Sequence, residues 1–478
     1  MSVSPLERID SRSPLARLTA LADADSFQPF APPDDCGTLA GQLTIEGIRA
    51  VAFATDPAIQ GGAMGRDGCA RIVHAIESAV RLGCPVIGLW HSGGARLREG
   101  VASLDGVGRI FAAIVSASGV VPQISVVLGP AAGGAAYGPA LTDIVVLGPN
   151  GRIFVTGPDV VRSVTGEDVD MLRLGGPEPH GRRSGVASMV CDTDEDALDS
   201  ARRLAVLLAD QRSVGDVVER DLSGYLPESA RRAYDVHALV DGLLDDNDPH
   251  AGPTISGAPV RVNVELHAKW ARNVVTTLGR LGGRTVGVIA NNPLRLGGCL
   301  DAASAEKAAR FVRMCDAFGV PLVVVVDVPG YLPGVTQEWD GVVRRGAKLL
   351  HAFAHCSVPR VTLVTRKAFG GAYIAMNSRS LGATAVYAWP DAVVDVMGPE
   401  AAVGILHRRR LAEIPEARRS EVVAELVEEH SKLSGGLERA RELDVIDEMV
   451  SPASTRGVLA AAIALAPPAR GRWANIPL

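Results

Sequence analysis

Gly129-Pro-Ala-Ala-Gly-Gly-Ala-Ala-Tyr137 and Arg366-Lys-Ala-Phe-Gly-Gly-Ala-Tyr373 are the two stretches that decide the fold. Each follows a Val-Pro dipeptide and an apolar run, and in both copies Gly-Gly-Ala begins eleven residues after that proline. The pattern predicts a buried strand that enters a glycine turn and then a helix. Such a turn presents consecutive backbone N–H groups that stabilise a developing oxyanion. Two copies predict a reaction with two carbonyl oxygens to stabilise.

The duplication extends into the sequence before each stretch. Gly83-Cys-Pro opens an apolar run that ends at His91-Ser-Gly-Gly-Ala-Arg96, and Gly319-Val-Pro opens a matching run that ends at Asp327-Val-Pro-Gly. The two copies of Gly-Gly-Ala lie 237 residues apart, a period too long for a solenoid repeat. Because 478 residues suffice for two hydrophobic cores, this period predicts two homologous domains.

Alternating strand and helix patterns in both halves predict an α/β fold with mainly parallel sheets. We place the domains at residues 1–240 and 241–478, because Asp241–Pro253 is rich in Asp, Gly, Asn and Pro and predicts a linker. β-hairpins are expected over Leu39–Ala54 and Thr276–Asn291, with turns at paired residues that include glycine. Helices are expected in a polar segment before the second hairpin and at Pro14–Ala24, Arg66–Leu82, Val107–Ser118, Asp194–Ala209 and Ala303–Phe318.

Composition argues against several classes of function. The chain is 47% hydrophobic, and its net charge of −6 offers no positive excess for binding nucleic acid. The apolar runs are too short to span a bilayer, and Met1–Arg12 has no apolar stretch of a signal peptide, so no membrane association is expected. The seven cysteines are scattered and form no Cys-x-x-Cys, which predicts free thiols in a reducing cytoplasm.

No site for a metal or for ATP is predicted on this chain. His351 and His355 have helical spacing, but His-Ala-Phe-Ala-His lacks the glutamate of a zinc protease motif, so packing or surface roles are expected. The Gly-x4-Gly-Lys-Ser/Thr pattern of a phosphate-binding loop is absent. A lysine flanked by methionines, as in biotin carrier domains, is also absent.

Several longer motifs resemble the β subunit of biotin-dependent acyl-CoA carboxylases. These motifs are Ser92–Gly100, Gly175-Gly176 with His180, Ser184–Ala187, Gly297–Asp301, Asp327–Glu338, Arg345–Leu350 and Arg366–Tyr373. The match runs from about Leu39 to Met449 and keeps the order of the motifs. The resemblance implies two tandem crotonase-like domains. It also implies a carboxyltransferase that moves CO₂ from carboxybiotin to the α-carbon of acetyl-CoA and/or propionyl-CoA, giving malonyl-CoA or methylmalonyl-CoA.

The resemblance also implies a catalytic role for each glycine turn. The N–H groups of Gly133 and Gly134 would face the thioester oxygen of acyl-CoA, and those of Gly371 and Ala372 the ureido oxygen of biotin. Internal alignment instead pairs Gly134 with Gly371 and Ala135 with Ala372, so the identity of the donors is left open by one residue in either turn. No catalytic base is expected on this chain, because biotin freed of CO₂ can accept the α-proton.

Further residues are expected to bind substrate. The loop from Ser92 to Arg96 resembles the family loop beside the bound thioester, with Arg96 a candidate partner for the CoA phosphates. Ile374 stands where propionyl-type relatives usually have Asp. Its apolar side chain is expected to line a pocket that accepts acetyl-CoA and propionyl-CoA but not long acyl chains. The predicted substrate-binding residues are Ser92, Gly93, Gly94, Ala95, Arg96, Ala135, Tyr137, Gly370, Tyr373 and Ile374.

The resemblance places the other parts of the reaction on other chains. Biotin is expected on a separate α subunit that contains the biotin carboxylase and the biotin carrier. A homohexamer of this chain is expected, in which the acyl-CoA side of one subunit meets the biotin side of its neighbour. If acetyl-CoA is a substrate, the chain is expected to be part of a cytoplasmic enzyme that supplies malonyl-CoA for fatty-acid synthesis.

Two alternative functions stay open at the level of the sequence. The same fold serves the carboxyltransferase subunit of biotin-dependent decarboxylases, which run the reaction backwards. A non-catalytic scaffold in a carboxylase complex is the second alternative, although intact glycine pairs in both halves argue against it. A hydratase of the crotonase type fits poorly, because it needs one domain and an acidic dyad. The preferred acyl group, the direction of the reaction, the identity of the α subunit and any regulation are left open.

Overall fold

The computed structural model describes residues 10–229, 232–248, 251–257, 259, 262–434 and 436–477. Two compact units are found: the described residues within 1–211, 247–270 and 471–478 form the first, and those within 212–246 and 271–470 form the second. The predicted boundary at residue 240 lies inside a segment that packs with the second unit. The division into domains 1–240 and 241–478 stays a prediction.

The first unit combines nine strands and eight helices among its described residues. The strands are β1 Gln28–Pro29, β2 Thr38–Ile45, β3 Ile48–Thr55, β4 Val86–Ser92, β5 Gln123–Ala132, β6 Ile144–Leu147, β7 Arg152–Phe154, β8 Met189–Val190 and β9 Val264–Leu266. The helices are α1 Pro14–Leu21, α2 Arg66–Leu82, α3 Val101–Ala117, α4 Gly134–Leu141, α5 Pro158–Thr165, α6 Met171–Gly175, α7 Pro177–Pro179 and α8 Asp194–Ala209.

The sheet of the first unit has the order β1-β2-β3-β4-β5-β6-β8, and β7 pairs with the end of β5. The strands from β3 onward are parallel, and β2 and β3 form an antiparallel hairpin. Helix α2 begins at Arg66 and ends at Gly83, whose φ of 61° suits a glycine cap. Its buried side chains, including Cys69, Ile72 and Ile76, recur at helical spacing and pack with the sheet in one hydrophobic core.

The second unit combines seven strands and ten helices among its described residues. The strands are β10 Val274–Leu281, β11 Arg284–Asn291, β12 Leu322–Val328, β13 Arg360–Phe369, β14 Ala385–Ala388, β15 Val393–Asp395 and β16 Glu448–Met449. The helices are α9 His237–Leu243, α10 Ala302–Ala317, α11 Val335–Trp339, α12 Val342–His355, α13 Gly370–Ala375, α14 Pro399–Leu406, α15 Arg408–Glu413, α16 Glu416–Ser434, α17 Gly436–Glu442 and α18 Thr455–Leu465.

The sheet of the second unit repeats the topology of the first. Its strands follow the order β10-β11-β12-β13-β14-β16, and β15 pairs with the end of β13 just as β7 pairs with β5. The hairpin β10–β11 is antiparallel, and the strands from β11 onward are parallel. The structure therefore confirms the predicted α/β class and its internal duplication.

Most local predictions agree with the structure within a few residues. Both hairpins form as expected, and α2 and α8 have the predicted bounds. Helix α3 begins six residues before the predicted Val107, and α1 ends at Leu21 rather than Ala24. The prediction of a polar helix before the second hairpin is wrong, because the described residues there form the short strand β9. The predicted linker begins inside α9.

Candidate active site in two equivalent glycine turns

The first glycine turn joins β5 to α4. Gly133 has φ 58° and ψ −125°, a conformation that residues with a Cβ rarely adopt. Its N–H donates to the carbonyl oxygen of Phe154 in β7 (3.1 Å), and its own carbonyl accepts from Ala136 (3.0 Å). Gly134 and Ala135 are the first two residues of α4, and N–H groups there have no partner within the helix. These two N–H groups are the donors that the turn can offer to a ligand.

The second glycine turn joins β13 to α13 and has the same shape. Gly370 also has φ 58°, and a Cβ there would lie 2.8 Å from the carbonyl oxygen of Val396. Gly371 and Ala372 follow in the first turn of α13. A Cβ on Gly371 would have no neighbouring atom within 4 Å, so the space in front of this turn is open. The turn can therefore accept a ligand oxygen against its backbone.

Comparison of the two turns bears on the two pairings that the sequence left open in the first turn. Gly133 corresponds to Gly370 in φ and in its place at the end of a strand. The N–H of Gly133 is already bonded within the sheet, which counts against this residue as an oxyanion donor. Gly134 and Ala135 are equivalent to Gly371 and Ala372. The structure thus favours the pairing from the internal alignment over the one implied by the resemblance.

Side chains just after each turn point in contrasting directions. Tyr137 and Ile374 occupy the same position in α4 and α13, and they are 49% and 44% exposed. Both are therefore free to meet a ligand. Tyr373 differs, because its side chain is buried and its hydroxyl donates to the carbonyl oxygen of Val445 (3.4 Å). Burial also raises the pKa of Tyr373 to about 12. A role for Tyr373 in substrate binding would have to come from its backbone.

The predicted substrate loop after β4 is held by its own backbone. Ser92 is fully buried, and its hydroxyl oxygen accepts from the N–H of Gly94 (3.2 Å). The carbonyl of Gly94 accepts from Met64 (2.8 Å), and the N–H of Gly93 donates to Gly61 (3.1 Å). The φ of 105° at Gly94 explains why glycine is needed there. Ala95 continues this attachment through a parallel bridge to Met64.

Arg96 is held in this loop by contacts of its own side chain, and its binding to the CoA phosphates stays a prediction. Its Nε donates to the carbonyl of Ala63 (2.9 Å), and one terminal nitrogen donates to Cys36 (2.7 Å). The other terminal nitrogen contacts Glu99 (3.4 Å), and only 11% of the side chain is exposed. A guanidinium with its donors directed at carbonyls and a carboxylate is poorly placed for a phosphate.

The sequence analysis did not recognise a second pair of glycine turns, although Gly297–Asp301 is one of the family motifs. Residues Gln60–Gly62 and Leu296–Gly298 each have three consecutive positive φ angles, and both lie before the helix that follows the hairpin. A Cβ on Gly62 would lie 1.8 Å from the carbonyl oxygen of His91, and one on Gly298 would lie 2.6 Å from that of Asp327. The repeated Gly-Gly, which begins at Gly61 and again 236 residues later at Gly297, was the available signal. These turns support the ends of β4 and β12.

Other functional features are limited in the part of the chain that the structure describes. No described helix is both long and apolar enough to cross a bilayer. The described residues contain no group of three or more His, Cys, Asp or Glu side chains that could hold a metal ion. His351 and His355 lie on α12 with ring centroids 5.3 Å apart. The seven cysteines, which all lie in the described part of the chain, form no disulfide.

Comparisons with known proteins identify the family of this chain. The Carboxyl transferase domain family matches residues 11–471, so this chain belongs to that family of carboxyl-transfer enzymes. It is 58% identical over 476 residues to the biotin-dependent acetyl-/propionyl-coenzyme A carboxylase beta6 subunit of Mycobacterium tuberculosis, covering 99% of this chain and 98% of the relative. It is 55% identical over 473 residues to the propionyl-CoA carboxylase beta chain of Rhodococcus erythropolis, covering 98% and 97%.

Solved structures carry the same fold. The transcarboxylase 12S crystal structure with methylmalonyl-coenzyme A and methylmalonic acid bound, which is described as a hexamer assembly, matches with a TM-score of 0.87 and 36% identity. The match covers 98% of this chain and 92% of that chain. A single-chain, multi-domain long-chain acyl-CoA carboxylase matches with a TM-score of 0.81 and 25% identity, covering 94% of this chain and 46% of that chain. The expected carboxyltransferase fold is confirmed.

Proposed function

We propose that this chain is the carboxyltransferase β subunit of a biotin-dependent acyl-CoA carboxylase. The observation that carries the proposal is the equivalence of the two glycine turns, each with a glycine at φ 58° followed by two residues at the start of a helix. A carboxyl transfer of this kind develops negative charge on two oxygens, one on the thioester and one on the biotin ureido group. Two preorganised pairs of N–H donors meet that requirement.

The chemistry of the first turn is to stabilise an enolate. Loss of the α-proton moves negative charge onto the thioester oxygen, and the N–H groups of Gly134 and Ala135 would hold that oxygen. Backbone donors keep their positions during the reaction, and removing one such donor typically costs about 3 kcal/mol of transition-state stabilisation. Gly133 would act indirectly, because its bond to Phe154 fixes the start of α4.

The chemistry of the second turn is to stabilise charge on the ureido oxygen. Carboxybiotin on a separate carrier would supply the CO₂, and its freed ureido group would accept the α-proton. The N–H groups of Gly371 and Ala372 would hold the oxygen. The open space in front of Gly371 fits a planar group that approaches the backbone closely. A larger residue at this position would remove that space.

The acyl group is proposed to be short. Relatives are named for acetyl-CoA and propionyl-CoA, and Ile374 offers an exposed apolar surface next to the second turn. A pocket with an apolar wall accepts both acetyl and propionyl groups, because one methylene changes binding by only about 1–3 kcal/mol. Acceptance of both substrates would connect the enzyme to malonyl-CoA supply in the cytoplasm.

The assembly is proposed to be a homohexamer with a separate α subunit. A hexamer is described for the transcarboxylase 12S relative, and the biotin-dependent relatives are named as β subunits. The α subunit would provide the biotin carboxylase and the carrier. We expect the isolated monomer to be inactive, which light scattering at the assay concentration can test. An active monomer would contradict this assembly.

The activity is tested by carboxyl transfer in the reverse direction with the purified chain. Malonyl-CoA or methylmalonyl-CoA is supplied with biocytin, and formation of acetyl-CoA or propionyl-CoA is followed. We expect transfer that depends on biocytin and is absent from the Gly371→Val variant. Spontaneous decarboxylation is separated by a reaction without biocytin. Absence of biocytin-dependent product with the folded oligomer would overturn the proposed function.

A further inference from the structure

Each unit contains the same irregularity four residues before its glycine turn. Between β4 and β5, Trp90 pairs with Val127 but Ser92 pairs with Ala131, so one residue of β4 faces three residues of β5. Between β12 and β13, the register changes in the same way after Val326. These are β-bulges, which bend a strand and commonly lie next to active sites. Each bulge turns the end of the longer strand toward β7 or β15.

The bulge of the first unit is filled by His91. Its opposite residues are Leu128, Gly129 and Pro130, and a Cβ on Gly129 would lie 2.3 Å from the imidazole Nδ1. The ring therefore rests directly on the glycine backbone. The backbone of His91 is fixed by Thr55, whose hydroxyl accepts from the N–H (2.9 Å) and donates to the carbonyl (3.0 Å).

The bulge of the second unit is filled by an ion pair. Asp327 is the single residue of β12, and Arg366 is the middle one of the three residues of β13. The Nε of Arg366 donates to the carboxylate of Asp327 (2.9 Å), and their side chains are 10% and 2% exposed. Another nitrogen of Arg366 donates to the carbonyl of Arg232 (2.8 Å), and its guanidinium lies over the ring of Tyr234 (5.0 Å).

The residues that fill the two bulges, here called the fillers, occupy equivalent positions although their chemistry is different. His91 corresponds to Asp327 and Gly129 to Arg366, because each pair occupies the same places in the bulge. The anchor is also repeated, since the side-chain oxygen of Asn291 accepts from the N–H of Asp327 (3.3 Å), as Thr55 does for His91. Gly129 and Arg366, the second members of the two pairs, each lie four residues before the turn glycine, Gly133 or Gly370.

We propose that His91–Gly129 and Asp327–Arg366 are positioning pairs, and that each holds its bulge in the shape that aims the following glycine turn. The inference rests on the proposed function, in which the second turn serves the biotin side. Displacement of a donor by about 1 Å can reduce a rate about 100-fold. The pairs do not touch the reacting atoms. They act through the strand that leads into the turn.

The first experiment compares two arginines of the same strand. Arg366→Lys keeps the positive charge, but a lysine cannot bridge Asp327 and a backbone carbonyl with a planar fork. The matched control is Arg360→Lys, because Arg360 is also buried and donates to the carbonyls of Cys356 (2.6 Å) and Leu381 (2.9 Å) at the far end of β13. Carboxyl transfer from malonyl-CoA to biocytin, KM for malonyl-CoA and Tm are measured for both.

We expect both variants to lower Tm, but only Arg366→Lys to lower kcat for transfer, by 10-fold or more. KM for malonyl-CoA should stay within about twofold, because the first turn is untouched. Equal kcat values for both variants and the wild type would overturn the positioning role. Equal losses in both would also overturn it, since the effect would then be general destabilisation.

The second experiment places the histidine and glycine of the first bulge at positions 327 and 366 of the second bulge. Arg366→Gly alone should lose about 100-fold in kcat, and the double variant Asp327→His/Arg366→Gly should recover at least 10-fold of that loss. Hydrogen exchange of the amides at residues 369–373 supplies a readout without catalysis. Faster exchange in Arg366→Gly and slower exchange in the double variant support the inference, whereas unchanged exchange overturns it. Since exchange does not require transfer, an inactive wild type would reject the proposed function separately.

Discussion

The ends of β4 and β12 show how two copies of one backbone can be supported by different side chains. In the first unit a ring of His91 lies on Gly129, whereas in the second unit Asp327 and Arg366 form a buried ion pair. The strands bulge at the same place, and the glycines that follow have the same φ of 58°. The comparison indicates that the direction of the turn is the shared requirement. Side chains can differ as long as they fill the bulge.

The space in front of the two turns differs more than their backbones do. A Cβ on Gly134 would lie 2.7 Å from Cγ1 of Val107 in α3, whereas a Cβ on Gly371 would meet no atom within 4 Å. The first turn is therefore backed by a helix of its own unit. The second turn is open. This contrast separates the effect of a substitution on folding from its effect on catalysis.

The largest expected effect comes from valine at these two glycines. We predict that Gly371→Val lowers kcat for carboxyl transfer by at least 100-fold while Tm changes little, because the side chain enters only ligand space. Gly134→Val should also abolish transfer, but it should lower Tm as well because of the contact with Val107. Transfer to biocytin and thermal unfolding of both variants check the prediction. More than one-tenth of wild-type activity in both would rule out the two-turn mechanism.

The glycine turns themselves were predictable, because a strand, a proline and Gly-Gly-Ala recur at matched spacing in the sequence. Which N–H groups are available was not predictable. The bond from Gly133 to Phe154 depends on β7, a three-residue strand with no clear pattern of its own. The contacts of Arg96 were unpredictable for a similar reason, since its carbonyl partners are distant in sequence. Local motifs identify a turn, but long-range contacts decide which of its groups are free.

The second prediction compares neighbouring glycines of the turn before α2. Gly62→Ala should lower the free energy of unfolding by about 3 kcal/mol or more, because its Cβ would lie 1.8 Å from the carbonyl oxygen of His91 and its φ is 76°. Gly61→Ala is the control, with a φ of 64° but no atom within 4 Å, and should cost about 1–2 kcal/mol. Gly298→Ala should fall between them, since its Cβ would lie 2.6 Å from Asp327. Urea unfolding measures all three, and equal losses would contradict the close contact.

The third prediction concerns Ile374, the exposed counterpart of Tyr137. Ile374→Asp replaces this apolar surface by a carboxylate. It should lower the ratio of kcat/KM for acetyl-CoA to kcat/KM for propionyl-CoA, by a factor that corresponds to about 1–3 kcal/mol of transition-state free energy. Ile374→Leu keeps an apolar wall and should leave the ratio nearly unchanged. Carboxylation of acetyl-, propionyl- and a long-chain acyl-CoA by the reconstituted complex provides the measurement. An unchanged ratio in Ile374→Asp, or a long-chain preference of the wild type, would remove Ile374 from the acyl pocket.

The last prediction is that the pH dependence of stability differs between His91 and Asp327, the residues that fill the two bulges. Burial, followed by the charges of Arg17 and Arg12, lowers the pKa of His91 from 6.5 to about 4. The unfolded chain therefore binds more protons than the folded chain between pH 4 and 6.5, so this residue makes stability rise with pH in that window. The slope is at most about 1.4 kcal/mol per pH unit. Above pH 6.5 His91 is neutral in both the folded and the unfolded chain, so it no longer changes stability with pH.

Asp327 should change the free energy of unfolding with pH in the opposite direction to His91. Its burial raises the pKa above the ordinary 3.8, although Arg366 opposes the shift. The folded chain then keeps the proton to higher pH than the unfolded chain, so the stability that this group contributes falls as pH rises above 3.8. Unfolding curves between pH 4 and 7 for the wild type and His91→Gln isolate the first filler, because Gln does not titrate. The variant should lose the rising slope between pH 4 and 6.5. An identical slope in both proteins would show that His91 is not held neutral in its bulge.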